Sequence, residues 1–332
     1  MTDLSVDIVI PTFNRARSIG TAVRAALDQS WGNTRVMVVD DGGSDDTQAV
    51  LTPYFDNPAF TYVRLGRNLG TAGAKNAGLL LTDGDAVTFH DSDDIPHRDK
   101  LLHQARVLSQ PAIGAHECLN WRMVGHEPGS ILQIGVALVH HDLILPDGRR
   151  VAIRRDLSLF DDVFPNLQMG GSVPGEWTHI NSGLFRHAVL ARQGGFAPCI
   201  EEDREFRNRL MFNGEIIWIV PELLLTKIET ADSLTQSRET DYDSARRRAD
   251  RALVWDKVRQ WRSDGHVDPV PVDLPDLTLA FVSNPDHLRA RDMPMTAATR
   301  AALARCLAHK TGASHAGASH TGVASHTGVA AR

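Results

Sequence analysis

The sequence predicts an α/β protein built on a Rossmann-like, mostly parallel sheet with helices on both faces, plus C-terminal helices. Three observations lead there. Apolar runs of strand length alternate with segments of helical spacing through the first third of the chain. Those runs are continuously apolar, as strands buried on both faces are, where a half-exposed strand would alternate. Three of the runs also end directly in polar segments, which a parallel sheet gathers outside the carboxyl ends of its strands, where ligands bind.

Val6 to Ile10 reads as a buried strand ending at Pro11, and Ser18 to Gln29 has helical spacing with Ile19, Val23, Ala26 and Leu27 on one face. Arg35 to Val39 is a second strand, stopped by Asp40-Asp41-Gly42-Gly43. Thr47 to Phe55 reads as helix, Phe60 to Leu65 as a third strand and Gly73 to Leu81 as a third helix, before the strand Ala86 to Phe89. From Ala112 to Val173 the pattern loosens into an irregular insertion of short apolar runs, expected to shape an acceptor cleft. Thr178 to Phe185 follows as strand and turn, Arg186 to Gln193 as a short helix ended by Gly194-Gly195, Glu202 to Asn213 as a longer helix ended by Gly214, and Ile216 to Val220 as a late strand.

Beyond about Ser237 the character changes. Tyr242 to Arg262 is a charged helix with Ala249, Leu253, Val254, Val258 and Trp261 as its apolar stripe, and Thr296 to His309 is another. Proline at 269, 271, 275, 285 and 294 marks the stretch between them as mostly loop. From Thr311 the repeated Ala-Ser-His units lack large apolar groups, so residues 311–332 are expected to be a disordered tail carrying His315, His320 and His326. The expected organisation is therefore a domain over 1–236, with a donor half of about 1–110 and an acceptor half of about 111–236. A helical extension over 237–310 and the tail complete it.

Composition sets outer limits. With 332 residues, 42% hydrophobic and 23% charged, this is the composition of a globular protein, and a formal net charge of −6 argues against a nucleic-acid binder working through a broad basic face. Cys118, Cys199 and Cys306 show no CxxC spacing, which suggests neither a zinc site nor a disulfide framework and makes a cytoplasmic setting the simplest expectation. The N-terminus lacks a positive leader, and no apolar stretch approaches the roughly 20 residues needed to span a bilayer. Arg246-Arg247-Arg248 on the charged helix reads as a solvated face or the surface of a homodimer formed through the C-terminal helices.

The segment His90-Asp91-Ser92-Asp93-Asp94 follows its strand directly. Carboxylates at a strand end can hold a divalent cation with open coordination positions, which suits a metal-bridged diphosphate. The same residues are also good turn and N-cap chemistry. Pro11-Thr12-Phe13-Asn14-Arg15 and Asp40-Asp41-Gly42-Gly43-Ser44 stand at neighbouring strand ends. Together the three segments make a site for a charged ligand.

Taken in order, the motifs resemble the family 2 glycosyltransferases with the GT-A fold. The matching pieces are Ile8 to Arg15, Val38 to Thr47, Arg67-Asn68-Leu69-Gly70 through Ala74-Lys75-Asn76-Ala77-Gly78-Leu79, Phe89 to Asp94, and Gly194-Gly195-Phe196 followed by Glu201 to Phe206. The resemblance implies a nucleotide-sugar donor, UDP-linked, and a soluble small-molecule, saccharide or peptide acceptor. It assigns Asp41 to the base, Pro11, Thr12, Asn14 and Arg15 to base and ribose, Lys75 to the diphosphate side, and Ser92 to the donor site. Asp91 and Asp93, with Asp94 beside them, match the Asp-x-Asp motif that holds Mn2+ or Mg2+. Asp203 is the implied general base of an inverting transfer, with Glu202 as second choice.

Each assignment has a structural alternative. Asp203 and Glu202 also suit a helix N-terminus, Asp40 its own turn, Asn14 and Asn76 backbone turns, and His179 with Asn181 a buried polar pair. Two departures from the family pattern stand out. Gly43 widens the usual Asp-Asp-Gly-Ser run, and Lys227 stands in the region where many relatives carry a His, offering a fixed positive charge that would weaken metal dependence. A sugar-1-phosphate nucleotidyltransferase would need a Gly-rich loop ending in Arg after the first strand, which Pro11 to Arg15 lacks. A non-catalytic scaffold of the same fold is the remaining rival.

Overall fold

A computed structural model describes residues 4–109, 113–114, 131–153, 180–229 and 244–308. The strands are β1 Val6–Thr12, β2 Thr34–Asp40, β3 Phe60–Leu65, β4 Ala86–Phe89, β5 Ile95–Pro96, β6 Ile113–Gly114, β7 Ile131–Leu132, β8 Ile134–Ile144, β9 Arg150–Ile153, β10 Leu184–Arg186, β11 Ile216–Ile228 and β12 Leu279–Val282. The helices are α1 Ile19–Leu27, α2 Thr47–Leu51, α3 Gly70–Leu80, α4 Lys100–Leu108, α5 His187–Gln193, α6 Glu202–Phe212, α7 Ala245–Asp264 and α8 Ala297–Ala308. Most of the insertion, His179, and the tail lie outside the described residues.

The continuous apolar runs become the centre of one ten-stranded sheet, in the order β12-β3-β2-β1-β4-β10-β8-β11-β5 with β9 on β8. Its heart, β3-β2-β1-β4, is parallel, and β10 joins β4 antiparallel. In β1, Ile8 and Ile10 face a core shared with Ile19 and Val23 of α1 and with Leu101 and Ala105 of α4. Val9 faces the opposite core with Ala74, Ala77 and Leu80 of α3 and Ala302 and Leu303 of α8. Each fully buried aliphatic side chain is worth about 1.5–3 kcal/mol, so two covered faces fix the register without help from the polar strand ends.

Three elements depart from the sequence expectation. Helix α4 stands where no element was expected. Its inward face carries Lys100 and Gln104 beside Leu101, Ala105 and Leu108, and the two polar residues break the apolar period. Strand β11 does not stop at Val220: the register against β8 shifts between Val220 and Leu223, where Pro221 has no N–H for a ladder, and pairing then resumes to Ile228. Strand β12 lies within the proline-marked stretch and pairs antiparallel with β3.

That stretch is also tied to the core by Arg291. Its guanidinium is buried and donates to Asp7 Oδ2 at 3.0 Å, Gly84 O at 2.9 Å and Leu79 O at 3.2 Å. Helix α7 starts at Ser244, whose hydroxyl accepts from Arg247 N, and ends at Gly265 in the left-handed region.

Candidate active site

The site begins with register. Thr12 is paired with Asp40 across β1 and β2, and Val9 with Phe89 across β1 and β4, so all three polar segments leave the sheet side by side. The first two loops are stitched together. Asn14, at φ 54°, accepts from Ser44 N at 2.7 Å, and Asp45 accepts from Ala16 N at 2.8 Å. Asn14 is therefore committed to the loop rather than held out as a free donor contact, the turn-securing alternative. Asp40 is equally occupied: Oδ1 accepts from Gly43 N at 2.8 Å and Oδ2 from the Tyr62 hydroxyl at 2.6 Å. The extra Gly43 has a steric reason, since a Cβ there would stand 2.9 Å from Asp40 Oδ1 and 3.0 Å from Asn14 Oδ1.

Asp41 is 3% exposed and accepts from Leu69 N at 2.6 Å and Gly70 N at 2.8 Å, at the start of α3. Burial pushes its carboxyl up to about 7, although both N–H groups favour the anion; Asp40 adds to the upward shift. Pro11 and Thr12 are buried, Thr12 Oγ1 has no hydrogen-bond partner among the described residues, and Phe13 stands 46% exposed at the strand end.

Lys75 does not face an open diphosphate position. It points inward from α3, fully buried, with Nζ 2.9 Å from Glu202 Oε1, 3.1 Å from Asn181 Oδ1 and 5.0 Å from the centre of the Phe196 ring. Burial opposes the ammonium, but Glu202, then Asp91 and Asp203, hold its pKa above the ordinary lysine value. The correction has a plain cause: α3 is buried on nearly every side, and a cation there needs a carboxylate and not a solvated ligand. Glu202 is the carboxylate it takes, which removes Glu202 from the position of a free base.

Asp203, next along α6, is half-buried, and its Oδ1 accepts from Arg204 N at 2.7 Å. Its neighbour Glu201 is clamped by Arg204 of α6 and by Arg247 and Arg251 of α7, so the first turn of α6 is held from both sides. Near that turn, Phe196 packs against Phe206 with the rings tilted at 39° and meets Phe89 edge-on. The end of β4 and the start of α6 thus share one aromatic floor, and Asp91 and Asp203 both reach Lys75 electrostatically.

The acidic loop meets Lys227. Its ammonium lies 3.0 Å from Asp91 Oδ2 and 2.9 Å from Asp94 Oδ2. Strand β5 explains the meeting: Ile95 pairs with Thr226, so the chain that has just passed Asp94 is hydrogen-bonded beside Lys227. Burial raises Asp94 to about 7 against the pull of Lys227 and raises Asp93 as well, where Lys227 and Arg15 pull the other way. Burial followed by the charge on Lys227 lowers His141 to about 4, leaving a neutral imidazole beside the ammonium. Ser92 is buried in the same turn.

Residues 7–119 match the family described as Glycosyl transferase family 2. Those residues carry the domain of that family. Among curated relatives of the glycosyltransferase domain, the amylovoran biosynthesis glycosyltransferase AmsB of Erwinia amylovora is 36% identical over 113 residues, 33% of this chain and 38% of that protein. The Escherichia coli UDP-Glc:alpha-D-GlcNAc-diphosphoundecaprenol beta-1,3-glucosyltransferase WfgD is 31% identical over 127 residues, 36% of this chain and 49% of that protein. The chain thus spans less than half the length of either relative.

Two solved structures share the fold. TarS 1-349 of S. aureus, in complex with UDP-GlcNAc, superposes with a TM-score of 0.51 at 18% identity, covering 69% of this chain and 60% of TarS. The mannosyltransferase PcManGT of Pyrobaculum calidifontis, in complex with GDP-Man and Mn2+, gives 0.50 at 18% identity, covering 93% and 76%. The architecture of this glycosyltransferase domain is the GT-A fold.

The acidic loop of the domain does not fit the expected metal as it is folded. Asp91 and Asp94 converge, but on an ammonium, and among the described residues no three His, Cys, Asp or Glu side chains are grouped to hold an ion. Sequence reasoning did not single out His141, whose imidazole feels the charge of Lys227. His141 carried no usable signal, because only the β8–β11 pairing brings it near Lys227.

Proposed function

We propose that this enzyme moves a sugar from a nucleoside-diphosphate donor, UDP-linked, to a hydroxyl of a soluble acceptor, with inversion at the anomeric carbon. The observation that carries the reading is that Asp203 and Asp91 both act on the charge of the buried Lys75, at the carboxyl edge of a sheet whose neighbouring strand ends supply a loop pair of nucleotide-binding type. Phe13 offers a flat apolar face to a base and Thr12 Oγ1 an unsatisfied hydroxyl to the donor.

In this reading the acceptor oxygen attacks the anomeric carbon while its proton passes to the Asp203 carboxylate. The bond from that carbon to the diphosphate breaks with its electron pair going to the diphosphate, and attack from the opposite face inverts the centre. Asp203 suits the base because the dipole of α6 favours its anion and because it is not committed to Lys75 as Glu202 is. Lys75 acts from beneath, fixing α6 against α3 so that Asp203 and the acidic loop keep their spacing.

The test is to incubate the protein with a panel of UDP-, GDP- and dTDP-sugars and a mixture of acceptors, measuring nucleoside diphosphate release and the product's anomeric configuration by NMR. A β-linked product from an α-linked donor is expected. Retention of configuration would overturn the single-displacement mechanism, and release from none of the donors would overturn the transferase reading.

A further inference from the structure

We propose that Lys227 is the built-in counter-ion of the Asp91–Asp94 loop and receives the donor diphosphate in place of a divalent metal. The inference rests on the nucleotide-sugar reading above and says which charge serves it. Three observations lead to it. The ammonium sits between Asp91 and Asp94 at 3.0 and 2.9 Å, the location where two metal-ligating carboxylates would meet an ion. Lys227 is not a swinging surface side chain, since it belongs to β11, which is bonded to β8 on one side and to β5 on the other. Its side chain keeps 19% of its exposure, so it is sheltered but reachable.

The chemistry follows from donor counting. An ammonium has three N–H bonds, and the two carboxylates take two of them. The third is left for a phosphate oxygen, held in advance where negative charge builds as the anomeric bond breaks. A divalent ion seeking the same carboxylates would have to break two sheltered ion pairs first, while Mg2+ and Mn2+ prefer several oxygen ligands around an open position. Lys227 and metal therefore compete for one place, and removing Lys227 should unmask a metal site that the native chain conceals. His141, kept neutral beside Lys227, adds no rival positive charge.

The full chain and its Lys227→Met and Lys227→Arg variants would be titrated with Mn2+ alone, followed by electron paramagnetic resonance, and with UDP and GDP in excess EDTA or in Mn2+, followed by calorimetry. Native protein is expected to leave Mn2+ free and to bind one of the nucleotides equally well in EDTA. Lys227→Met should lose metal-free nucleotide binding by about tenfold or more, as for loss of a charged donor, and gain bound Mn2+. Lys227→Arg should keep metal-free binding. Native protein that binds Mn2+ by itself, or that binds nucleotide only when Mn2+ is present, overturns the proposal and leaves the transferase reading intact. Should neither nucleotide bind under any condition, the nucleotide-sugar reading fails and this inference with it. If Lys227→Met does not fold, the native titrations alone decide.

Discussion

Lys75 Nζ and Glu202 Oε1 lie 2.9 Å apart with both side chains out of solvent, joining the middle of α3 to the first turn of α6. The pair couples the helix packed on the parallel strands to the element that carries Asp203.

Removing one partner should leave the other buried and unpaired. Lys75→Met is expected to destabilise the fold by about 3–5 kcal/mol, and Lys75→Met with Glu202→Leu by clearly less, because neither charge is then stranded. Urea unfolding of the single and double variants measures this. Additive losses would mean that the two side chains do not act as a pair.

Asp203→Asn should keep nucleotide binding close to native and lower turnover by about 10²- to 10⁴-fold, the usual contribution of a positioned general base. Donor binding by calorimetry and product formation by NMR separate the two quantities. Near-native turnover would remove Asp203 from the chemistry.

Stability should depend on pH through Asp41. Its carboxyl is raised from 3.8 to about 7 in the folded protein, so between those values the folded state holds a proton that the unfolded chain has released. Stability is then greatest below about pH 4 for this group and falls as pH rises towards 7, by at most about 4 kcal/mol for a shift of this size. Asp94, also raised to about 7, acts in the same direction. Thermal unfolding from pH 4 to 8 should show a shallower decline in Asp41→Asn than in the native chain. Parallel curves would show that Asp41 remains ionised throughout, stabilised by the N–H groups of Leu69 and Gly70.

Arg291→Ala should cost about 3–5 kcal/mol, since it empties a buried position and takes one of its two arginine partners from Asp7. Chemical denaturation would show it as a lower midpoint at unchanged slope, and a loss below 1 kcal/mol would mean that Arg35 satisfies Asp7 alone.

The parallel heart of the fold was legible because strands buried on both faces must be apolar along their centres, as Ile8 to Ile10 and Val36 to Val39 are, and because Asp and Gly stop the second of them at the same edge. Helix α4 was not legible, since Lys100 and Gln104 occupy its buried face and pair there with Thr88 and with Ala137 O. The direction of Lys75 was hidden for a different reason: its counter-ion lies 127 residues away, and a lysine among alanines and glycines reads equally well as facing out. Lys227 was noticed as a charge out of pattern. Its contact with Asp91 and Asp94 depended on β11 running past Pro221, which a proline in an apolar run argues against.

Strand β12 has a consequence for how the chain is made. It covers the β3 edge of the sheet, yet it lies more than 200 residues beyond β3, so a chain emerging from the ribosome forms β1 to β4 long before the cover exists. Until then Phe60 to Leu65 presents an open row of N–H and C=O groups flanked by aromatic residues, a template for pairing with another nascent chain. Shortening the protein before residue 279 would make that interval permanent, and insolubility would follow with Lys75, Asp91, Asp94, Asp203 and Lys227 all still present in the chain.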